Sequence, residues 1–114
     1  MKNTMKIKKN YEFNYSFNKG KLYLGKYIKC FYLKNNKNKN FIGIAVSSKQ
    51  FNAVKRNKVK RIIREAYTNI EKDIVSGNTF VFLWKKKIDI ENCKFELIRN
   101  DMKKMFKNIG ILNE

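Results

Sequence analysis

Asn52-Ala53-Val54-Lys55-Arg56-Asn57-Lys58-Val59-Lys60-Arg61-Ile62-Ile63-Arg64-Glu65-Ala66-Tyr67 carries two kinds of side chain at two angular positions. Asn52 suits a helix N-cap, because its side-chain oxygen can accept a hydrogen bond from a free amide of the first turn. After it, Val59, Ile62, Ile63, Ala66, Tyr67 and Ile70 fall three and four residues apart, the period of a helix with one buried face. At about 100° per residue, Asn57, Lys60, Arg61 and Arg64 project from the opposite side. One face needs a core and the other a polyanion. Within the helix only Glu65, four residues from Arg61, can pair with these cations. Like charges so placed repel one another unless a partner neutralises them. The bland reading is a solvated basic face, and the charge imbalance argues against it.

The imbalance runs through the whole chain. Its 114 residues hold 27 Lys and Arg against 9 Asp and Glu, a formal charge of +18. Solubility asks for a magnitude of only about 2–8. Nucleic acid is the first partner this implies, and an anionic membrane surface the second. A membrane would need an exposed Leu, Trp or Phe face beside the basic one, whereas the apolar faces here are committed to a core. No stretch approaches the length of a membrane span, and the basic start lacks the apolar run of a secretory signal. A cytoplasmic protein of one small domain, residues 1–114, is expected, with residues 1–9 as a flexible basic tail. Cys30 and Cys93 stand alone and there is no His. Two isolated cysteines cannot build a zinc site, and both are expected to be reduced and buried or simply incidental.

Outward from the central stretch, the elements follow in turn. Tyr11, Phe13, Tyr15 and Phe17 alternate with polar residues, which reads as a strand. Phe13 and Phe17 are also four apart, which suits one face of a helix. Periodicity leaves both readings open. Asn10 offers an N-cap, and Gly20 a stop that tolerates left-handed backbone. Leu22 to Leu24 is a short apolar piece, and Tyr27 to Leu33 is rich in β-formers. An Asn-rich loop, residues 34–40, leads to a second strand, Phe41 to Val46. The central helix runs to about Ile74, and Ser76-Gly77-Asn78 marks a stop. Thr79 to Trp84 is a buried strand. A last helix spans about Asn92 to Asn108, with Phe95, Ile98, Met102, Met105 and Phe106 at helical spacing and Gly110 as C-cap. The result is an α+β fold, a small two-layer sandwich in the order α-β-β-β-α-β-α. It has a mixed four-stranded sheet with helices mainly on one face.

The stretch Asn52 to Ala66 resembles the signature of the bacterial ribonuclease P protein subunit, Asn-Ala-Val-x-Arg-Asn-Arg-x-Lys-Arg followed by a basic helical turn. The resemblance covers almost the whole chain and is weaker over Ile7 to Gly20. It departs at Lys58, where the family usually has Arg; Lys keeps the charge and loses the bidentate fork. It departs again at Phe51, where Gly is common. The resemblance implies a helix over residues 10–18 and a left-handed crossover between the strands that flank the central helix, against the usual right-handed rule. It implies that Arg56, Asn57, Lys58, Lys60, Arg61 and Arg64 bind the catalytic RNA subunit. It also implies that Phe13, Phe17 and either Phe31 or Tyr32 line a cleft for the single-stranded 5′ leader of precursor tRNA. Adjacent strand residues face opposite ways, so the last choice stays open. Ser47, Lys49 and Asn52 would lie beside that cleft. The bland reading of these aromatics is ordinary core.

The resemblance further implies that the RNA subunit hydrolyses the phosphodiester with Mg2+ that it mainly holds itself. The protein would carry no catalytic side chain and no cofactor of its own, and would need neither a membrane nor an obligate protein partner. The residues agree in one respect. Without His, a protein nuclease would need carboxylates holding metal ions. The close pairs Asp89-x-Glu91 and Glu71-x-Asp73 sit at helix ends, where acidic residues are ordinary. Two other classes stand beside this reading: a structural, ribosome-associated RNA-binding protein, and a metal-dependent nuclease acting alone.

Overall fold

The computed structural model describes residues 3–113, and Met1, Lys2 and Glu114 lie outside them. The elements are β1 (Thr4–Lys6), α1 (Asn10–Lys19), β2 (Lys21–Leu24), β3 (Ile28–Lys34), β4 (Asn40–Ala45), α2 (Ala53–Ile70), β5 (Asn78–Trp84) and α3 (Phe95–Ile109). The strands form one sheet in the order β1-β4-β5-β3-β2. β1, β4 and β5 run parallel, and β3 and β2 are antiparallel to their neighbours. The α+β class and the mixed sheet are as expected, but there are five strands rather than four.

Alternation along the strands sorts the core. Register aligns Cys30 with Phe82 and Ile44, and Phe31 with Val81 and Gly43. Ile28, Cys30, Ile42, Phe80, Phe82 and Trp84 therefore share the first face, and all are buried. α2 and α3 close over it. The α2 residues that pack inward are the six whose spacing marks them, Val59, Ile62, Ile63, Ala66, Tyr67 and Ile70. From α3 come Ile98, Met102, Met105 and Phe106. Phe80 and Phe106 meet at 4.9 Å between ring centroids and Tyr67 and Phe80 at 5.8 Å. Each large side chain buried this way is worth about 1.5–3 kcal/mol.

α1 lies across the other face. Phe13 packs over Gly43 of β4, where an added Cβ would stand 2.7 Å from the Phe13 ring. Phe17 reaches Phe31 of β3, with 5.2 Å between ring centroids. The helix thus crosses the strands, from β4 towards β3. It ends the ambiguity of residues 10–18: Phe13 and Phe17 turn to the sheet, while Tyr11 and Tyr15 point to solvent at 67% and 57% exposure. The N-cap is Lys9 rather than Asn10, and its amide donates to the Glu12 carboxylate. Gly20 does end the helix, but with φ −78° rather than left-handed backbone. A Cβ there would sit 2.5 Å from the Ser16 carbonyl oxygen, so close approach is what requires glycine. Gly110, at φ 88°, caps α3 in the left-handed way expected.

The fifth strand lies in residues read as a loose tail. Thr4–Lys6 pairs in parallel with Asn40–Ile42, and Ile7 is buried beyond it. Three mostly polar residues give no periodic signal, yet the open edge of β4 has backbone groups to satisfy. The helix boundaries also shift. α2 stops at Ile70 and a 3-10 turn, Glu71–Asp73, completes the run to Ile74. A second such turn, Ile90–Asn92, precedes α3, which begins at Phe95 rather than near Asn92.

Edge strand and central helix are tied through a buried phenol. The Tyr67 hydroxyl shares a 2.7 Å hydrogen bond with Thr4 Oγ1, which also donates to the Glu71 carboxylate. Burial, reinforced by the nearby Glu71 charge, pushes the Tyr67 phenol up from 10.0 to about 12, against the opposing hydrogen bonds. The folded state holds this proton more tightly than the unfolded state. Stability from Tyr67 is therefore full below about pH 10 and is lost between about pH 10 and 12, an effect of about 2–3 kcal/mol for two pH units. Tyr67→Phe is expected to flatten the fall of the urea midpoint across that window, with lysine titration common to both proteins. An equally steep fall in the variant would contradict the assignment.

Candidate nucleic-acid interface

α2 starts where the sequence placed it. The Asn52 side-chain oxygen accepts from the Lys55 amide at 2.9 Å. That bond leaves the other early amides of α2, at the positive end of the helix dipole, facing outward. The turn before it accommodates Phe51 without strain. Among the described residues, positive φ occurs at Asn36, Gly77, Lys87 and Gly110, not at Phe51. Phe51 packs against the core, and its carbonyl accepts from Arg56 Nη1 at 2.7 Å. Arg56 thus spends one nitrogen on pinning this turn and is half-buried, while Asn57, Lys58 and Arg61 are exposed. Lys60 and Arg64 lie on the flank, half-buried by their stems.

Charge along this row is scarcely compensated. Among the described residues one ion pair forms, Arg61 with Glu65 at 3.1 Å, and both partners are about half exposed. Such a surface pair is worth little. The row presents Arg forks and Lys point charges, the two side chains suited to phosphate oxygens.

A second surface lies on the other side of the sheet. The rings of Phe13 and Phe17 are 6.4 Å apart, and Phe17 meets Phe31 edge to face. All three are half-buried, so each is anchored and stays partly accessible. Register decides the strand partner. Phe31 shares the α1 side, while Tyr32 turns to the core, against Phe80, and its hydroxyl donates to Asn78 Oδ1 at 2.6 Å. One row beyond Phe31, Ala45, Leu83 and Lys29 align on the same face. β4 ends at Ala45, and the loop carrying Ser47 and Lys49 leaves from that end. Both are exposed, and Ser47 Oγ accepts the Lys49 amide at 3.2 Å. Gln50 fastens the loop by donating to the carbonyls of Lys85 and Ile88. Asn52 belongs to this loop, but its oxygen is occupied by the helix cap. Lys29 is a further cleft residue, one not anticipated from the sequence. The signal was available, since it stands two residues from Phe31 and so on the same strand face.

Nothing in the described residues gathers three or more His, Cys, Asp or Glu side chains. Glu71 is engaged with Thr4 and with the Asn3 amide. Cys30 and Cys93 are free and buried, and burial pushes both thiols up, so they behave as small core residues. Among the described residues, no helix is long and apolar enough to cross a membrane.

Comparison with known proteins points one way. The sequence model of the family described as Ribonuclease P matches residues 1–110. A ribonuclease P protein component of Clostridium botulinum is 37% identical over 109 residues, covering 95% of this chain and 96% of that one. One of Bacillus cereus is 36% identical over 112 residues, covering 97% and 96%. The Staphylococcus aureus RNase P protein superposes with a TM-score of 0.80 at 27% identity, covering 95% of this chain and 97% of that one. The Thermotoga maritima RNase P protein gives 0.80 at 26% identity, covering 90% and 96%. With its basic α2 and its aromatic cleft, the chain belongs to the ribonuclease P protein family.

Proposed function

We propose that this chain works as the RNA-gripping subunit of ribonuclease P. It binds the catalytic RNA through α2 and the 5′ leader of precursor tRNA through the cleft beside α1. The observation that carries this is the outward row of α2, uncompensated but for Glu65 among the described residues, on a helix whose back is fixed to the sheet. Lys58, Lys60, Arg61 and Arg64 neutralise RNA phosphates that would otherwise repel the precursor. Asn57 adds a neutral donor within the row, and Arg56 contributes its remaining guanidinium nitrogens. Phe13, Phe17 and Phe31 offer aromatic surface on which unpaired leader bases can stack, and Lys29 and Lys49 supply charge for the leader backbone. Ser47 and the Asn52 amide offer short polar contacts at the rim.

Hydrolysis, with its Mg2+, is assigned to the RNA subunit. Among the described residues no cluster of carboxylates is fitted to hold that ion. The protein's share is binding and orientation.

Two measurements test this. Cleavage of precursor tRNA by a bacterial ribonuclease P RNA at low Mg2+ is expected to be rescued by the chain; a purely structural RNA-binding protein would not rescue it, and a nuclease in its own right would cut without the RNA. Phe17→Ala is expected to weaken holoenzyme binding of precursor tRNA roughly tenfold, within the range of about 1–3 kcal/mol per stacked base. Binding of mature tRNA should not change. Equal losses for both RNAs would rule out a leader contact.

A further inference from the structure

α1 divides its face of the sheet in two, and the leader cleft is only one side. On the other, α1 and the β3–β4 loop enclose a groove of about 750 Å³, within the size range of ligand sites. Leu33, Thr79 and Phe41 form its floor, one register row from Phe31, Val81 and Gly43 on the side away from Lys29. Tyr11 and Tyr15 stand along the α1 rim. Both rings are exposed, and neither belongs to the core under α2 and α3.

The charge around the groove is mainly positive. The Lys37 ammonium lies 5.2 Å from the Phe41 ring centre, and the Lys9 ammonium 5.7 Å from that of Tyr11. Lys34 also lines the groove. Its one carboxylate, Glu12, accepts the Lys9 amide and so belongs to the cap of α1. Flat rings beside lysines that outnumber the single acid suit unpaired nucleobases and their phosphates.

We propose that this groove holds the upstream part of a long leader, beyond the nucleotides seated in the first cleft. The inference rests on the leader reading above and extends it. A strand leaving the first cleft meets the outer surface of α1, where Tyr15, Asn14 and Asn18 present no negative charge. α1 is about 15 Å long and about 10 Å across, so a strand can pass over it and descend on the far side. The far groove thereby reads leader length, and the first cleft reads leader presence.

The test uses reconstituted holoenzyme and two precursors, with leaders of about 4 and about 16 nucleotides, the span of sizes that single-strand sites occupy. Tyr11→Ala with Tyr15→Ala is expected to weaken the long-leader precursor about tenfold and leave the short one unchanged. Tyr11→Phe with Tyr15→Phe should bind as the unaltered chain does, because the rings remain. Both residues are exposed, so the fold is not at issue. Phe17→Ala should weaken both precursors. Long-leader affinity unchanged in the alanine pair would overturn the proposal while Phe17→Ala still reports on the first cleft. A loss of short and long leaders alike in the alanine pair would also overturn it, by showing no length dependence. If Phe17→Ala changed neither precursor, the leader reading itself would fall, and the upstream assignment with it.

Discussion

Reversing three charges on α2, with Lys60→Glu, Arg61→Glu and Arg64→Glu together, is expected to cost about a thousandfold in affinity for ribonuclease P RNA. Each charge-assisted hydrogen bond to a phosphate is worth about 1.5 kcal/mol, and about 1.4 kcal/mol is a factor of ten. None of the three points into the core, and Arg61 gives up only a surface pair with Glu65. Thermal unfolding should therefore stay close to that of the unaltered chain. Salt adds a second readout. Each duplex phosphate neutralised contributes about −0.9 to the slope of log affinity against log salt, so removing three such cations flattens it by about 2.7. A matched variant separates position from total charge: Lys103→Glu, Lys104→Glu and Lys107→Glu alter three exposed α3 lysines. If that variant were weakened as much as the α2 one, the RNA would be attracted by net charge alone, and α2 would have no special place.

What could be read in advance follows from how each element carries its information. α2 was legible because its buried face and its basic face are written along one helix, as apolar and basic residues at the same period. α1 was not, because aromatics at 11, 13, 15 and 17 satisfy a strand and a helix alike; only packing on Gly43 and Phe31 separates Phe13 and Phe17 from Tyr11 and Tyr15. The choice between Phe31 and Tyr32 needed the register with β5, a relation between residues some fifty positions apart. β1 has too few residues to show a period and finds its partner 36 residues on, Thr4 against Asn40. The groove beside Tyr15 draws its walls from three separate segments. Such features arise from juxtaposition, and a local pattern does not contain them.

Asp101 shows the same limit and carries the largest expected effect on stability. An acid on a basic helix reads as solvent-facing, yet Asp101 is only 7% exposed. Its position offers a hint, three residues after Ile98 and beside Met102, on the inward stripe of α3. Oδ1 accepts the Lys26 amide at 2.6 Å, and Oδ2 those of Tyr27 and Ile28 at 2.9 and 3.1 Å. The carboxylate thus satisfies three successive donors of the β2–β3 turn and holds it to α3. Asp101→Ala leaves three amides with no acceptor, each worth about 1–3 kcal/mol when buried. Partial access to water at the turn brings the expected loss to about 3–5 kcal/mol, and each kcal/mol lowers Tm by roughly 4–8 °C. Asp101→Asn should recover little, since its NH2 group would face a donor. Gly25→Ala reaches the same carboxylate from the other side, because a Cβ there would collide with it. The double variant should therefore lose less than the two single losses combined. The turn also sets the start of β3, which carries Lys29 and Phe31 into the cleft proposed for the leader. Under mild urea, Asp101→Ala should weaken binding of precursor tRNA before it weakens assembly with the RNA subunit. A loss below about 1 kcal/mol would mean that water replaces the carboxylate at the turn, and that β2–β3 pairing alone positions the cleft.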